Sequence, residues 1–430
     1  MTGTNLFGSE TCQGLDDFLR PDHLISPELK LFCKTLRKFV DNEVIPHEEE
    51  MDDFWDWTER DGHNFVYDIW KKLLIDVGLQ QSFIPPDFGG TGGWSTVESC
   101  AAVEEVARGD FSVACSGFIS PWSIASITIP KPNKFLLKKL SPLLCGDEVN
   151  IICSAITEPH AGGSVEDYRL KGSQIRTRAR LEGDEWVING HKLWPSAYRE
   201  AKWFRVLCVV EGEEFPRNIA QIFVPVDAEG VATSKPYRKM GAAIDTNGDI
   251  WFENVRVPKE YRAQEDPEDD LKSVMANITI GRLTSAAFPL GVIKRAYEVF
   301  KNYVDNREIA GKPMKEHGVI VHELGQMTKE ILTAEGFLYY IADRMDHPDV
   351  YGFPWELKNL ALASACQVSV SDMCWSAVNR ALEMMGSYGY SREGKMEKLL
   401  RDIKITQIVV GGQLLRLTEL ARYYFGTQTV

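Results

Sequence analysis

In the first third of the chain, apolar residues recur at helical spacing. Leu29, Phe32, Leu36, Phe39 and Val40 fall at i, i+3, i+4 intervals, and the acidic run Glu48-Glu49-Glu50 closes that segment. The stretch Ile84-Pro85-Pro86-Asp87-Phe88-Gly89-Gly90-Thr91-Gly92-Gly93 predicts a loop, because proline removes helix hydrogen bonds and glycine admits positive φ. Ser95 follows, with Glu98 three residues on; this capping-box signature predicts a helix holding residues 97–106. The helical pattern runs from about residue 26 to residue 144.

From about residue 148 to residue 262 the period changes to two. Residues 177–181, 186–188, 204–210, 219–224 and 249–252 read as short strands, separated by turns such as Glu182-Gly183-Asp184 and Asn189-Gly190. Long helical segments return over 273–306, 317–346, 355–386 and 397–424, broken at Gly311-Lys312-Pro313 and Gly352-Phe353-Pro354. Their apolar stripes are wider than a coiled-coil seam, which suggests a bundle that also packs against other subunits. The expected fold class is α+β: an N-terminal helical domain over 1–147, a middle β-barrel or sandwich over 148–264, and a C-terminal four-helix bundle over 265–430.

Composition narrows the function without changing this picture. The 430 residues are 44% hydrophobic and 26% charged, ample for a large core. A net charge of −14 argues against a nucleic-acid partner, since phosphate binding needs a basic surface. The nine cysteines are scattered with no C-x-x-C pair, so they read as reduced thiols rather than a disulfide framework or a zinc site; no metal is expected. Met1 to Leu19 has neither the basic-then-apolar layout of a secretory signal nor the Arg-rich look of a mitochondrial presequence. No run of about 18 uncharged apolar residues is seen, so the expectation is a cytoplasmic protein without a membrane span.

Two segments of the β zone carry candidate chemistry. The first is Ile156-Thr157-Glu158-Pro159-His160-Ala161-Gly162-Gly163-Ser164, and the second is Asn189-Gly190-His191-Lys192-Leu193-Trp194-Pro195-Ser196. Each alone is weak: the first reads as a strand ending in a tight turn, and a lone Trp194 is more often core than cofactor platform. In this order and spacing they resemble the middle domain of acyl-CoA dehydrogenases, where a T-E-P-x-A-G-S turn and a K-x-W-x-T/S turn embrace a flavin. The resemblance spans nearly the whole chain. Pro85 to Gly90 looks like the family's P-E-x-x-G-G loop, and Phe252-Glu253-Asn254-Val255-Arg256-Val257-Pro258 matches its F-x-x-V-x-V-P strand exit. Arg307 to Lys312 is similar to R-x-x-F-G-K, Gly386-Ser387-Tyr388-Gly389-Tyr390 to G-G-x-G-Y, and Leu400-Arg401-Asp402-Ile403-Lys404-Ile405 to R-D-x-K-I. The Leu193 to Ser196 version and Gly411-Gly412 look especially like the nitroalkane oxidase branch.

The resemblance implies FAD as cofactor, an acyl-CoA as substrate, an electron-transfer flavoprotein as electron acceptor and a homotetramer as assembly. It implies that Ile156 and Thr157 hydrogen-bond the polar edge of the flavin, beside Gly162 and Gly163, that Trp194 and Pro195 cover the ring, and that Ser196 reaches flavin N5. Arg307 would reach the diphosphate of a neighbouring subunit's FAD, with Gly386, Gly411, Gly412 and Gln413 allowing close backbone approach. Standing alone, Arg307 reads equally as a surface ion pair. Ser164, Thr279 and Arg282 would contact the acyl-CoA, although Gly163 stands where a pantetheine-contacting serine is otherwise placed.

One feature departs from the family. Its catalytic glutamate, which removes the α-proton while the β-hydrogen leaves as hydride, occupies one of two positions, and here these hold Val410 and Gly281. Neither accepts a proton, and the aspartate of nitroalkane oxidases is missing at Val410 as well. Four readings follow. The base has moved, with Asp110 as candidate against the commoner reading of a helix-terminal acid; the reaction is an elimination that needs no base; the chain is a non-catalytic FAD-binding half of a hetero-oligomer; or it is a flavin monooxygenase relative. His160, beside the flavin turn, reads first as a solvated turn residue and second as an acid or base.

Overall fold

The computed structural model describes residues 22–54 and 65–427. The leader reading of residues 1–19 lies outside these residues. Within them the order is helical, then sheet, then helical, as the periodicities predict.

Helix α1 (Pro27–Phe39) starts where Ser26 accepts from the Leu29 amide at 3.3 Å, with Pro27 at its first position. It buries Leu29, Cys33, Leu36 and Phe39. Helix α2 (Thr96–Gly109) carries the expected capping box of Ser95 and Glu98. A second cap comes from far along the chain: the Asp346 carboxylate accepts from the Thr96 and Val97 amides at 2.7 and 3.0 Å. That bond docks the helix start onto the C-terminal bundle. Helices α3 (Phe111–Gly117), α4 (Ile119–Thr128) and α5 (Lys134–Leu144) follow in the same zone. By length and composition alone, Phe111–Thr128 is apolar enough to cross a membrane, the one such stretch among the described residues. It is 72% buried inside the fold and is interrupted at Phe118, between two helices.

The middle zone is one curled sheet of strands β1 (Ile151–Ala155), β2 (Arg178–Glu182), β3 (Glu185–Leu193), β4 (Ala201–Val210), β5 (Ile219–Pro225), β6 (Val231–Thr233) and β7 (Asp249–Pro258), in the order β1-β4-β2-β3-β7-β6 with β5 also on β4. Strands β1 and β6 were not predicted. Every residue of β1 is buried, so it shows no alternation, and β6 spans only three residues. Strand β3 runs on past residue 188 to Leu193 through a register shift near Gly190, where an added Cβ would meet Thr177 at 2.4 Å.

The C-terminal zone has helices α6 (Pro267–Asp305), α7 (Gly318–Met345), α8 (Leu357–Met385), α9 (Met396–Ile403) and α10 (Gly412–Phe425). Helix α6, 39 residues long, packs against α2, α7 and α8. The single helix expected over 397–424 is instead two. Val410 and Gly411 both take left-handed φ (52° and 87°), which no α-helix accommodates. The chain therefore turns over residues 404–411, and this turn delivers Val410 to the β zone.

Candidate active site

The two turns singled out in the sequence are fastened by a buried ion pair. Glu158, 1% exposed, accepts from the Arg176 and Thr177 amides at 2.6 and 3.0 Å. Lys192 on β3, fully buried, donates to Glu158 Oε1 at 2.8 Å and to the Ile156 carbonyl at 2.9 Å. Burial opposes the Glu158 charge, but Lys192 and the amides outweigh it and hold the carboxyl below its ordinary range. A backbone bond from Leu193 N to Thr157 O at 3.0 Å completes the clasp. The acid and the lysine of the two motifs thus set the spacing between Thr157 and Trp194.

Trp194 is not a core residue. Its side chain is 48% exposed, its φ is +66°, and its ring lies 4.5 Å from that of Tyr237. Its amide and carbonyl are pinned by Gly248 O at 3.0 Å and Asn247 Nδ2 at 3.2 Å. A large aromatic held open in a left-handed backbone is a built platform. Pro195 and Ser196 follow, and the Ser196 hydroxyl donates to Asp245 Oδ2 at 3.1 Å. Asp245 also accepts from Ser116 at 2.8 Å, so the hydroxyl is oriented from two domains. His160 bonds the Gln174 carbonyl at 2.7 Å and serves the turn.

Gly162 (φ +53°) and Gly163 lead into a short turn, Gly163–Glu166. A Cβ on Gly163 would stand 2.8 Å from Gly411 Cα, so glycine is required for the Gly162-Gly163 turn to lie against the Val410-Gly411 turn. The Ser164 hydroxyl donates to Ala161 O at 2.6 Å and so belongs to the turn.

Beside this contact lies a cavity of about 410 Å³, open space at its mouth included. Ile156 and Glu166 from the flavin turn, Val410, and Trp122 of α4 meet there, with Arg205 and Gln221 from the sheet and Asn277 from α6. The Glu166 side chain is 8% exposed, and burial pushes its carboxyl up to about 7 against the pull of Arg282. Sequence reasoning missed Glu166, because a single acid past a turn carries no pattern.

The structure also decides what holds each remaining candidate. Asp110 does not line the cavity. It caps α3, accepting from Ser112 and Val113 amides at 2.7 and 3.1 Å, and takes Lys398 Nζ at 2.6 Å. Burial opposes its charge, yet Lys398 and the amides hold its carboxyl lowered, as suits a cap rather than a base. Arg282 is fully buried and committed to Glu419 and to Ser364, the latter at 2.6 Å. The Thr279 hydroxyl is buried without a hydrogen-bond partner, two residues beyond Asn277. Gln413 bonds Asp372. Arg307 lies over Tyr303, whose ring stacks on Tyr388 at 5.3 Å and whose hydroxyl bonds Met385 O, next to Gly386. The structure so brings Arg307 and Gly386 to one exposed cluster.

At Gly281 the Cβ direction is filled: the Trp122 ring begins 3.3 Å away, itself fixed by a bond to Thr284 at 3.1 Å. A side chain there needs the ring to give way. Gly281→Glu is expected to cost roughly 1–3 kcal/mol by overpacking, read as a fall in the urea midpoint. Trp122→Ala in the same chain should recover part of it.

The fold thus offers an open aromatic platform between pinned turns and, past Ile156, a cavity at a helix–sheet junction. The chain belongs to the acyl-CoA dehydrogenase family, a family of FAD-dependent oxidoreductases. Residues 26–129, 153–255 and 271–423 match its N-terminal, middle and C-terminal domain models. It is 28% identical over 396 residues to cyclohexane-1-carbonyl-CoA dehydrogenase of Syntrophus aciditrophicus, covering 92% of this chain and 96% of the relative. It is 25% identical to glutaryl-CoA dehydrogenase of Desulfococcus multivorans, covering 91% and 94%. Butyryl-CoA dehydrogenase of Megasphaera elsdenii shares the fold with a TM-score of 0.80 at 23% identity, covering 93% of this chain and 99% of that one. An acyl-CoA dehydrogenase of Bacillus anthracis complexed with FAD gives a TM-score of 0.81 at 23% identity, over 97% and 70%.

Proposed function

We propose that this chain binds FAD between the Thr157 and Trp194 turns and oxidises the CH–CH bond next to the thioester of an acyl-CoA with a compact cyclic, aromatic or acidic acyl group. The observation that carries this reading is the cavity itself, which opens where the flavin turn meets the Val410-Gly411 turn. Ile156, Leu207, Val274 and Ile278 make its wall apolar.

The polar part of the wall favours an acyl group that carries an acceptor. Arg205, 2% exposed, donates to Gln221 at 2.7 Å, while its Nε and the Asn277 Nδ2 have no hydrogen-bond partner. Buried donors left open are costly, so a carboxylate or carbonyl on the acyl group would stabilise them.

The chain's residues fit the cofactor. The exposed Trp194 face covers a planar ring, and a hydroxyl that donates to Asp245 keeps lone pairs for a flavin N–H. When bound, FAD supplies the two-electron acceptor for hydride. Thr157 and Ile156 orient its polar edge, and Arg307, in its exposed cluster, meets the diphosphate of a neighbouring subunit. That last role makes the assembly a homo-oligomer, a homotetramer in our reading, with an electron-transfer flavoprotein as its partner.

The test is anaerobic bleaching of the yellow protein across a panel of CoA esters. Cyclic, aromatic and dicarboxylic esters are expected to bleach the flavin roughly tenfold or more faster than long straight-chain esters. Failure of every CoA ester would remove the acyl-CoA reading.

A further inference from the structure

We infer that Glu166 is the group that accepts the α-proton, reaching the reacting carbon from the flavin turn in place of the glutamate that Val410 replaces. The inference rests on the acyl-CoA reading above.

Glu166 and Val410 line the same cavity. A Cβ on Gly411, the residue after Val410, would stand 3.2 Å from Glu166 Oε2, so the carboxylate abuts the turn that carries the usual base position. Its direction of approach differs, but the space it serves is shared. The second base position is crowded by Trp122, and Asp110 is spent as a cap. Glu166 is the one carboxylate among the residues lining this cavity.

Its surroundings are those of a proton acceptor rather than of a structural ion pair. Oε2 is buried and has no hydrogen-bond partner, and the nearest cation, Arg282 Nη2, stands 4.0 Å away. A structural carboxylate in this chain looks different: Glu158 has its lysine at 2.8 Å and two amides. The charged groups facing Glu166 come from three elements: Arg282 on α6, Glu419 and Arg416 on α10, and Arg205 on β4. Arg282 is itself neutralised by Glu419. Burial then dominates, and the carboxyl rises to about 7, where a base works best near neutral pH.

The step balances. The α C–H bond gives its proton to a Glu166 oxygen and its electron pair to the new Cα=Cβ bond. The β C–H bond leaves with its pair as hydride to bound FAD, so the acyl group loses two electrons and the flavin gains them.

Two measurements test this. The first needs no turnover: in the FAD-free protein, a raised carboxyl stabilises the fold fully below the ordinary glutamate range, and that stability is lost as pH rises through about 7. Glu166→Gln should abolish this part of the pH dependence of the melting temperature. The second is the rate of anaerobic bleaching by whichever CoA ester bleaches the parent. Glu166→Gln is expected to slow it roughly 10²–10⁴-fold while FAD content and CoA-ester binding hold. Glu166→Asp should keep a measurable rate, with the acid limb of the pH profile moved. Equal bleaching in parent and Gln variant would overturn the assignment, as would the same loss in both variants with the acid limb unmoved. A Gln variant that fails to fold leaves the decision to Glu166→Asp by that same criterion. A parent that no CoA ester bleaches fails earlier, and takes the acyl-CoA reading with it.

Discussion

Lys192→Met is expected to destabilise the protein by roughly 3–5 kcal/mol and to empty it of FAD. The lysine is fully buried, and its ammonium is hydrogen-bonded to Glu158 at 2.8 Å. Methionine keeps the volume but leaves a carboxylate, 1% exposed, without its lysine and held by the Arg176 and Thr177 amides. The lost bond to the Ile156 carbonyl frees the strand exit that positions Thr157. Denaturant melts and flavin absorbance per chain read the two effects separately. Adding Glu158→Gln removes the stranded charge, so the double variant should regain a large part of the stability and less of the flavin. The sign with pH follows from the lowered Glu158 carboxyl: the stability it lends is present above the ordinary glutamate range and is lost as pH falls through its depressed value.

Arg282→Leu should cost a similar amount, roughly 3–5 kcal/mol, for a related reason with a different consequence. Arg282 neutralises Glu419, which is 3% exposed, and bonds Ser364 at 2.6 Å. Without it, Glu419 is a buried charge with Arg416 as its remaining neighbouring cation. Glu166 loses the largest influence that lowers its carboxyl, so the acid limb of the bleaching profile should move to higher pH. A limb that stays fixed, or falls, would show that Arg282 and Glu166 do not sense each other. Thermal melts give the stability part, and stopped-flow bleaching between pH 5 and 9 gives the other.

Much of the architecture was legible because local chemistry and global fold agree. The capping box at Ser95 and Glu98 starts α2, and the turn at Glu182-Gly183-Asp184 joins β2 to β3. The Thr157 and Trp194 turns were legible through their order and spacing. The fastening between them was not read, since Glu158 and Lys192 look like surface charges until the sheet buries them. The break in the last helix escaped because Ile405, Ile408 and Val409 sustain the apolar period up to the glycines. Asp110 was placed near the acyl pocket by register, yet an acid between two helices is captured by the free amides of the second. Glu166 could not be read at all: its unusual state comes mainly from burial, in a cavity whose Asn277, Ile278 and Val410 lie more than a hundred residues downstream.

The Trp122 ring over Gly281 has a bearing on how such a site can change over generations. The two positions where the resemblance expects a glutamate are not equally open to gaining one. At position 410 the side chain already faces the cavity, so a single replacement there adds a carboxylate to existing space. At position 281 a side chain meets the indole 3.3 Å away, so the tryptophan must give way, and its movement disturbs a wall of the cavity. A lineage that returns to the ordinary arrangement is therefore expected to pass through position 410, with Glu166 drifting to a neutral residue afterwards.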